Sequence, residues 1–403
     1  MSVAALTALV LAAASWPAVA ADSIHMRNLG SGLELGASLQ GSQTYSDNFF
    51  YEEKGGHAVH GLVLAPELAL KQRFGRAFAA LNAGLQFARF DLPKSDSDFN
   101  DGAIGAVFEY DGGVRNFFTV SAATRHGHDP FGTDRTSGVG ATLPDRNLDL
   151  WTTNNAAARY RYGAPTATLN IELSGGYAKK DYTTNEATTV FLDFRKASLA
   201  QTLFFNYSPK TAALVELGEE SVRFDRNAPK GVDRDAKEYR LRAGVRWKAT
   251  AKTTGDIRVG GVRRSLDDKR INVLTGLSWD AKVRWEPFSK TSLSLETGRS
   301  SQESFLTTVS VVDNRDYAVS LSQGLGNNFR TIVTARRTDS DFVGTSRRDA
   351  INTYALSGIY SFRSSVAVFA SLYRSQRDST SPPPNPSPNF RASAVVVGIR
   401  VSP

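Results

Sequence analysis

The side chains whose type and spacing bear most directly on chemistry are cations set two residues apart. Between positions 238 and 248 the even places hold Glu238, Arg240, Arg242, Gly244, Arg246 and Lys248, and the odd places hold Tyr239, Leu241, Ala243, Val245 and Trp247. Arg258, Lys282 and Arg284 repeat the spacing further on, among Asp256, Asp280 and Glu286. These cations outnumber the carboxylates interleaved with them. Cations lining a water-filled passage concentrate anions and weakly repel cations. The chemistry implied is selection by wall charge, favouring acidic solutes such as uronate- or pyruvate-bearing saccharide. The same side chains could instead form cross-strand Arg–carboxylate pairs that hold the wall together, and both readings stay open.

Catalytic chemistry finds less support. His57 with His60, and His126 with His128, have spacings that a metal could use, but both pairs fall near expected loops and the chain has no cysteine to assist them. No Ser/His/Asp arrangement stands out for nucleophilic catalysis, and Gly-rich stretches such as Asp111-Gly112-Gly113 read as hairpin turns. No catalytic residue, metal or cofactor is therefore expected. Tyr160, Tyr162, Tyr239, Trp247, Trp279 and Trp285 could stack on sugars, yet their parity points them away from the charged face, toward a bilayer interface.

The elements that must position the cations are extended strands. Strict period-two alternation in 238–248, and again in 276–286 where Leu277, Trp279, Ala281, Val283 and Trp285 share one face, excludes a helix, on which the arginines would encircle the axis. Each segment is about 11 residues, the length of a tilted membrane-crossing strand. So charged a face cannot sit in a dry core, because each unpaired guanidinium would cost several kcal/mol. Lipid on one side and water on the other describe an outer-membrane barrel strand.

The rest of the chain follows this pattern. Alternating segments begin at Leu33 and end with Val395, Val397, Ile399 and Val401. Tight turns such as Asp111-Gly112-Gly113, Ser208-Pro209-Lys210 and Pro287-Phe288-Ser289-Lys290 alternate with long polar connections, the asymmetry of such barrels. Pro66 interrupts the second strand, where a bulge is expected. The predicted fold is all-β: a single transmembrane up-and-down antiparallel β-barrel of about 18 strands, for which 16 would also fit, with both termini periplasmic.

Ahead of the barrel, Val3 to Ala14 form a short apolar run, and Ala18 and Ala20 offer small side chains to a signal peptidase. Residues 1–20 are expected to be a signal peptide, 21–32 a periplasmic leader and 33–403 the barrel. The net charge of +8 would elsewhere suggest nucleic acid. In an exported barrel it belongs in the lumen and loops, so no nucleic-acid partner is expected.

Tyr45-Ser46-Asp47-Asn48 after the first strand, Arg347-Arg348-Asp349, the stretch Tyr373-Arg374-Ser375-Gln376-Arg377-Asp378-Ser379, and the final Val-Gly-Ile-Arg strand resemble the putative beta-barrel porin 2 family. That resemblance spans nearly the whole mature chain. It implies a wide outer-membrane barrel associated with exopolysaccharide loci, with outer-membrane lipid, the barrel insertion machinery and a polysaccharide export apparatus as partners, and no catalytic residues. One departure is the ending Ile399-Arg400-Val401-Ser402-Pro403, where most such barrels carry a terminal aromatic. The function expected is an outer-membrane channel taking part in export of an acidic exopolysaccharide. The alternatives are a general diffusion porin for small anionic or neutral solutes and a non-conducting structural or adhesive barrel.

Overall fold

The computed structural model describes residues 24–92, 97–136, 147–164, 167–229, 231–250, 252–268, 273–381 and 388–402. The expected signal segment with Ala18 and Ala20, and the proline-rich 382–387, lie outside the described residues. A short strand β1 (Met26–Gly30) precedes β2 (Leu33–Ser46), β3 (Val59–Phe74), β4 (Ala77–Phe90), β5 (Phe99–Asp111), β6 (Asn116–Asp129), β7 (Asp149–Tyr162), β8 (Leu169–Tyr182) and β9 (Phe194–Ser208). The second half comprises β10 (Thr211–Phe224), β11 (Ala236–Thr250), β12 (Thr253–Leu266), β13 (Leu274–Phe288), β14 (Thr291–Glu303), β15 (Val311–Leu325), β16 (Phe329–Phe342), β17 (Arg348–Arg363), β18 (Val366–Ser379) and β19 (Phe390–Val401).

Strands β2 to β19 each pair antiparallel with their sequence neighbours, and β19 returns to β2, so the ring closes with 18 strands. The closure is staggered. β19 covers β2 from Ser46 to Leu39, and β1 takes the remaining edge of β2 through Met26↔Gly36, Arg27↔Leu35 and Asn28↔Glu34. Ser402 fastens the junction by accepting from the backbone N–H of His25 at 2.8 Å and donating to the carbonyl of Ala37 at 2.9 Å. Residues 26–30, expected within a leader, are thus a strand that blunts the edge left by the stagger. Leu33 and Ser402, at the two ends of the ring, lie at the rim of short turns.

Parity is kept along the strands. Leu241, Val245, Leu277, Leu295, Val319 and Val397 are exposed on the outside, while the even positions of β11 turn inward. Two aromatic belts bound the apolar band. Tyr162, Tyr207, Trp285, Phe288 and Phe362 are exposed near the short turns, and Tyr45, Tyr177, Tyr239, Tyr317 and Tyr354 nearer the long loops. Tyr354 and Phe362 stand on one strand, roughly 26 Å apart at about 3.3 Å per residue; tilted, that span matches a hydrocarbon layer.

Two details differ from the sequence reading. No bulge forms at Pro66. Leu64↔Phe87 and Glu67↔Gly84 keep one register on either side of it, so the ladder to β4 merely skips Ala65 and Pro66. The strands are also longer than expected, mostly 13 to 16 residues, and the loops correspondingly shorter. Toward the long loops the outward positions turn charged, as in Arg337 beside Asp339 at 2.9 Å and Arg348 near Asp341 at 3.5 Å. Above the hydrocarbon the apolar alternation stops while the backbone ladder continues. For this reason His126 and His128, expected near a loop, lie on β6.

Val245, 43% exposed in the middle of β11, tests the parity. A Val245→Lys change should cost about 2 to 4 kcal/mol for a lysine at mid-bilayer, read as a lowered denaturant midpoint of the barrel refolded into lipid vesicles. An unchanged midpoint would contradict the outward placement.

Candidate functional site

The inward face of β9 to β14 carries most of the charge that the sequence singles out. Cross-strand register arranges it in rows. Arg246 stands opposite Asp256, Asp256 opposite Lys282, and Lys282 opposite Glu296, so one row alternates in sign over four strands. Arg246 Nε donates to Asp256 at 2.6 Å, and Lys282 approaches Glu296 to 3.4 Å. In the next rows the carboxylate of Glu216 accepts from Arg242 and from Arg258, and Arg258 Nε also donates to Asp256 at 2.8 Å. Arg240 lies 3.5 Å from Glu220 and 3.4 Å from Glu238, and Arg284 Nε donates to Glu286 at 2.6 Å.

Glycine makes this crossing geometry feasible. Gly244 sits between Leu214 and Arg258, and Gly260 opposite Arg242. A Cβ at Gly244 would collide with the carbonyl oxygen of Ile257, and one at Gly260 with that of Leu241. With no side chain at Gly244, the Arg258 guanidinium can pass over β11 to reach Glu216 on β10.

Arg240, Arg242, Arg246, Lys248, Arg258, Lys282 and Arg284 thus all occupy inward positions, and among the described residues all but Lys248 have a carboxylate partner. Three of those acids, Glu216, Glu220 and Glu296, were missed by the sequence count because they stand on the flanking strands β10 and β14. The even parity of Glu216 and Glu220 in Leu214-Val215-Glu216-Leu217-Gly218-Glu219-Glu220, and of Glu296 in Leu293-Ser294-Leu295-Glu296, was the available signal. Adding them brings the wall near neutrality. The arrangement is a cross-strand ion ladder, and the basic excess apparent in the middle of the chain is largely cancelled. The outer aromatics behave differently: Tyr160, Tyr162, Tyr239 and Trp285 are exposed on the outside, while Trp247 and Trp279 are half-buried there.

At the long-loop rim the connections fold onto the mouth in two clusters. Phe50, Phe131 and Leu148 from loops join Ala88 and Phe99 of β4 and β5, with Phe50 and Phe131 ring centroids 5.6 Å apart. Beneath them Asp129 accepts from Trp151 Nε1 and from the Tyr182 hydroxyl, both at 2.7 Å, and Arg135 grips Asp149 with two bonds of 2.7 and 2.6 Å. In the loop, burial together with the carboxylate of Asp129 pushes the acid of Asp134 up to about 6, against the opposing pull of Lys180 and Arg377; Asp149 adds to the rise. The second cluster joins Val309, Val312 and Phe342 with Phe305 and Leu306. Arg234, buried to 0% exposure, links the loops by donating to the carbonyls of Phe191 and Ser304, the latter at 3.3 Å. Burial lowers its guanidinium to about 10 despite Asp235 and Asp233.

The histidines are engaged singly. His128 Nδ1 lies 3.0 Å from Asp101, His57 Nδ1 2.8 Å from Glu52, His126 Nδ1 3.3 Å from the Thr152 hydroxyl, and the His60 ring 4.9 Å from that of Tyr45. Among the described residues no group of three His, Asp or Glu side chains is placed to hold a metal ion.

A closed ring with a charged inner face and an apolar outer belt is the geometry of a porin. The pattern of the putative beta-barrel porin 2 family matches residues 34–402. The chain belongs to that family. It is therefore a barrel channel of the outer-membrane type, the coarse reading reached from the sequence. No curated protein sequence matches the chain. Among solved structures it is similar to the FrpB iron transporter from Neisseria meningitidis (F5-1 variant; 8% identity, 91% of this chain and 82% of that one, TM-score 0.48). It is also similar to Pseudomonas aeruginosa OccK3 (13% identity, 92% and 95%, TM-score 0.46) and to Acinetobacter baumannii OccAB3 (11% identity, 91% and 99%, TM-score 0.45).

Two predictions follow from the ladder and the mouth. Glu216→Gln leaves two guanidiniums, 12% and 17% exposed, short of a counter-charge. It should destabilise the barrel by about 2 to 3 kcal/mol, below the full penalty of a buried broken pair because Arg258 keeps Asp256, and move the reversal potential in a salt gradient toward anions. An unmoved reversal potential would place Glu216 off the ion path. At Asp134 the folded acid titrates above its ordinary 3.8, so ionisation opposes folding of the loop. Its contribution is fully present below about 3.8 and is lost, by at most about 3 kcal/mol, as pH rises to about 6. Protease cleavage within 130–136 should accordingly increase between pH 4 and 7 in the native barrel and change less in Asp134→Asn.

Proposed function

We propose that the protein is a passive outer-membrane conduit that takes part in exporting an exopolysaccharide, with the long loops facing outward and both termini in the periplasm. The observation that carries this reading is the ion ladder on the inner face of β9 to β14. Among the described residues each of those cations but Lys248 already has a carboxylate within reach, so a passing hydroxyl-rich chain meets mostly alternating donors and acceptors and little unopposed charge to hold it. Conduction needs such weak, repeated contacts. The wall also requires no catalytic group, in keeping with a channel that works by shape and surface chemistry. Lipid at the belt, the barrel insertion machinery at assembly and a polysaccharide export apparatus at the short-turn rim are the partners this role would require.

A second reading is a non-conducting structural or adhesive barrel, favoured by the two apolar loop clusters over the mouth. A general diffusion porin for small anionic or neutral solutes would share the same wall. Planar-bilayer recording of the purified barrel separates these: steady conductance is expected, and silence under all voltages would favour the structural role. Deleting the gene should lower extracellular polysaccharide while leaving its intracellular synthesis in place; unchanged release would remove the export role and leave the diffusion porin.

A further inference from the structure

The wall ladder opens over several residues at the seam of β13 and β14. β14 pairs with β15 from Thr291↔Gln323 to Glu303↔Val311, and β13 pairs with β12 from Trp285 up to Leu274. Between themselves β13 and β14 pair only from Phe288↔Thr291 to Asp280↔Gly298. Beyond Asp280, toward the long loops, the two strands part. Arg299 reaches across the gap: Nη1 donates to the carbonyl of Leu277 at 2.6 Å, and Nε donates to Asp313 at 2.8 Å.

Beside this bridge lies a cleft of about 70 Å³, bounded by Arg240, Arg264, Arg299, Glu238, Asp313 and Ser278. That volume suits a small oxyanion group and its first water better than a whole sugar ring. Arg264 is only 1% exposed. Its Nη1 donates to Glu238 at 3.4 Å, while Nε and Nη2 make no hydrogen bond, with Glu303 4.0 Å from Nη2. The Nε–Nη2 edge of a guanidinium is the planar fork that matches the two oxygens of a carboxylate. Three guanidiniums and two carboxylates bound the cleft, and both carboxylates already accept from those arginines. A buried donor pair without acceptors carries a standing desolvation cost that an entering carboxylate would relieve.

We propose that this cleft is a binding subsite for a carboxylate borne by a solute in the lumen, gripped by the Nε–Nη2 edge of Arg264. The inference rests on the reading of the barrel as a saccharide conduit, and it moves acid recognition from the wall as a whole to Arg264, which has two buried nitrogens without a hydrogen bond. Ser278, on the same lining, is placed to meet a neighbouring hydroxyl of the solute.

The full barrel in detergent micelles is titrated with trigalacturonate, with the neutral trisaccharide maltotriose and with inorganic phosphate. Trigalacturonate should bind at least tenfold more tightly than maltotriose. Arg264→Lys, which keeps the charge but loses the fork, should weaken it at least tenfold. Ser300→Trp, a change at an exposed position that fills the cleft, should do the same with the barrel intact by heat-modified migration, and it stands in for Arg264→Lys should that variant fail to fold. Equal affinity in the native barrel and in Ser300→Trp would overturn the subsite, as would equal binding of charged and neutral trisaccharides. Phosphate competing at lower concentration than trigalacturonate would overturn the carboxylate assignment. Displacement of trigalacturonate by phosphatidylglycerol added to the micelles would transfer the site from lumenal solute to lipid phosphate and so overturn it too. The outcome is separable from that of export: discrimination between the trisaccharides with unchanged polysaccharide release on gene deletion keeps the subsite and removes the conduit role, and the reverse result removes the subsite alone.

Discussion

Backbone hydrogen bonding in a medium without water governs this structure. Each peptide N–H and C=O that enters hydrocarbon must find a partner in the protein, and a sheet can meet that demand only by closing on itself. The closing step here is the return of β19 to β2, which is staggered and so leaves part of β2 uncovered. β1 and the Ser402 hydroxyl complete that edge. The seam between β13 and β14 is lawful for the same reason, because it opens only toward the long-loop end, where Arg299 supplies to Leu277 a donor that the neighbouring backbone does not.

Once the ring is closed, strand parity leaves the charges no choice of side. Arg240, Arg242, Arg246 and Arg258 must enter the lumen, where neighbouring strands hold them within a few ångströms of one another, and like charges at that spacing would repel. Glu216, Asp256 and Glu296 resolve the conflict, and Gly244 and Gly260 let the guanidiniums cross between strands. The wall that results along β10 to β14 is charged and nearly balanced; apolar inward patches lie toward the short turns, at Phe204 with Leu214 and at Ile359 with Phe369. A balanced wall suits a hydrated, hydroxyl-rich cargo, and it leaves the incompletely satisfied Arg264 as the place where selectivity for acid can concentrate.

The loops obey a different constraint. They have no lipid to face, so they bury their own phenylalanines over the mouth, Phe50 with Phe131, and Phe305 against Phe342 at the end of β16. Doing so draws ionisable groups in with them. Asp134 and Arg234 are shifted toward their neutral forms by the same burial that makes the clusters cohere. The mouth is therefore the part of the molecule whose packing is coupled to proton concentration, whereas the wall below is held by groups paired with opposite charge.

From the residues alone, the period of two in 238–248 and 276–286 was enough to establish strands, sidedness and a barrel, and the alternation of short and long connections was enough for about 18 of them. These are local properties: lipid and water act on each side chain directly, so the pattern is written in the chain order. The length of the strands above the membrane was hidden, because outward residues there, such as Arg337 and Arg348, no longer carry an apolar signature although the ladder continues. The pairing of each inward cation was hidden as well, since Glu216 lies 42 positions from Arg258 and only register brings them together. The unregistered half of β13 and β14, with the cleft beside Arg264, belongs wholly to tertiary structure, because whether two adjacent strands stay paired depends on what their neighbours in the ring require of them.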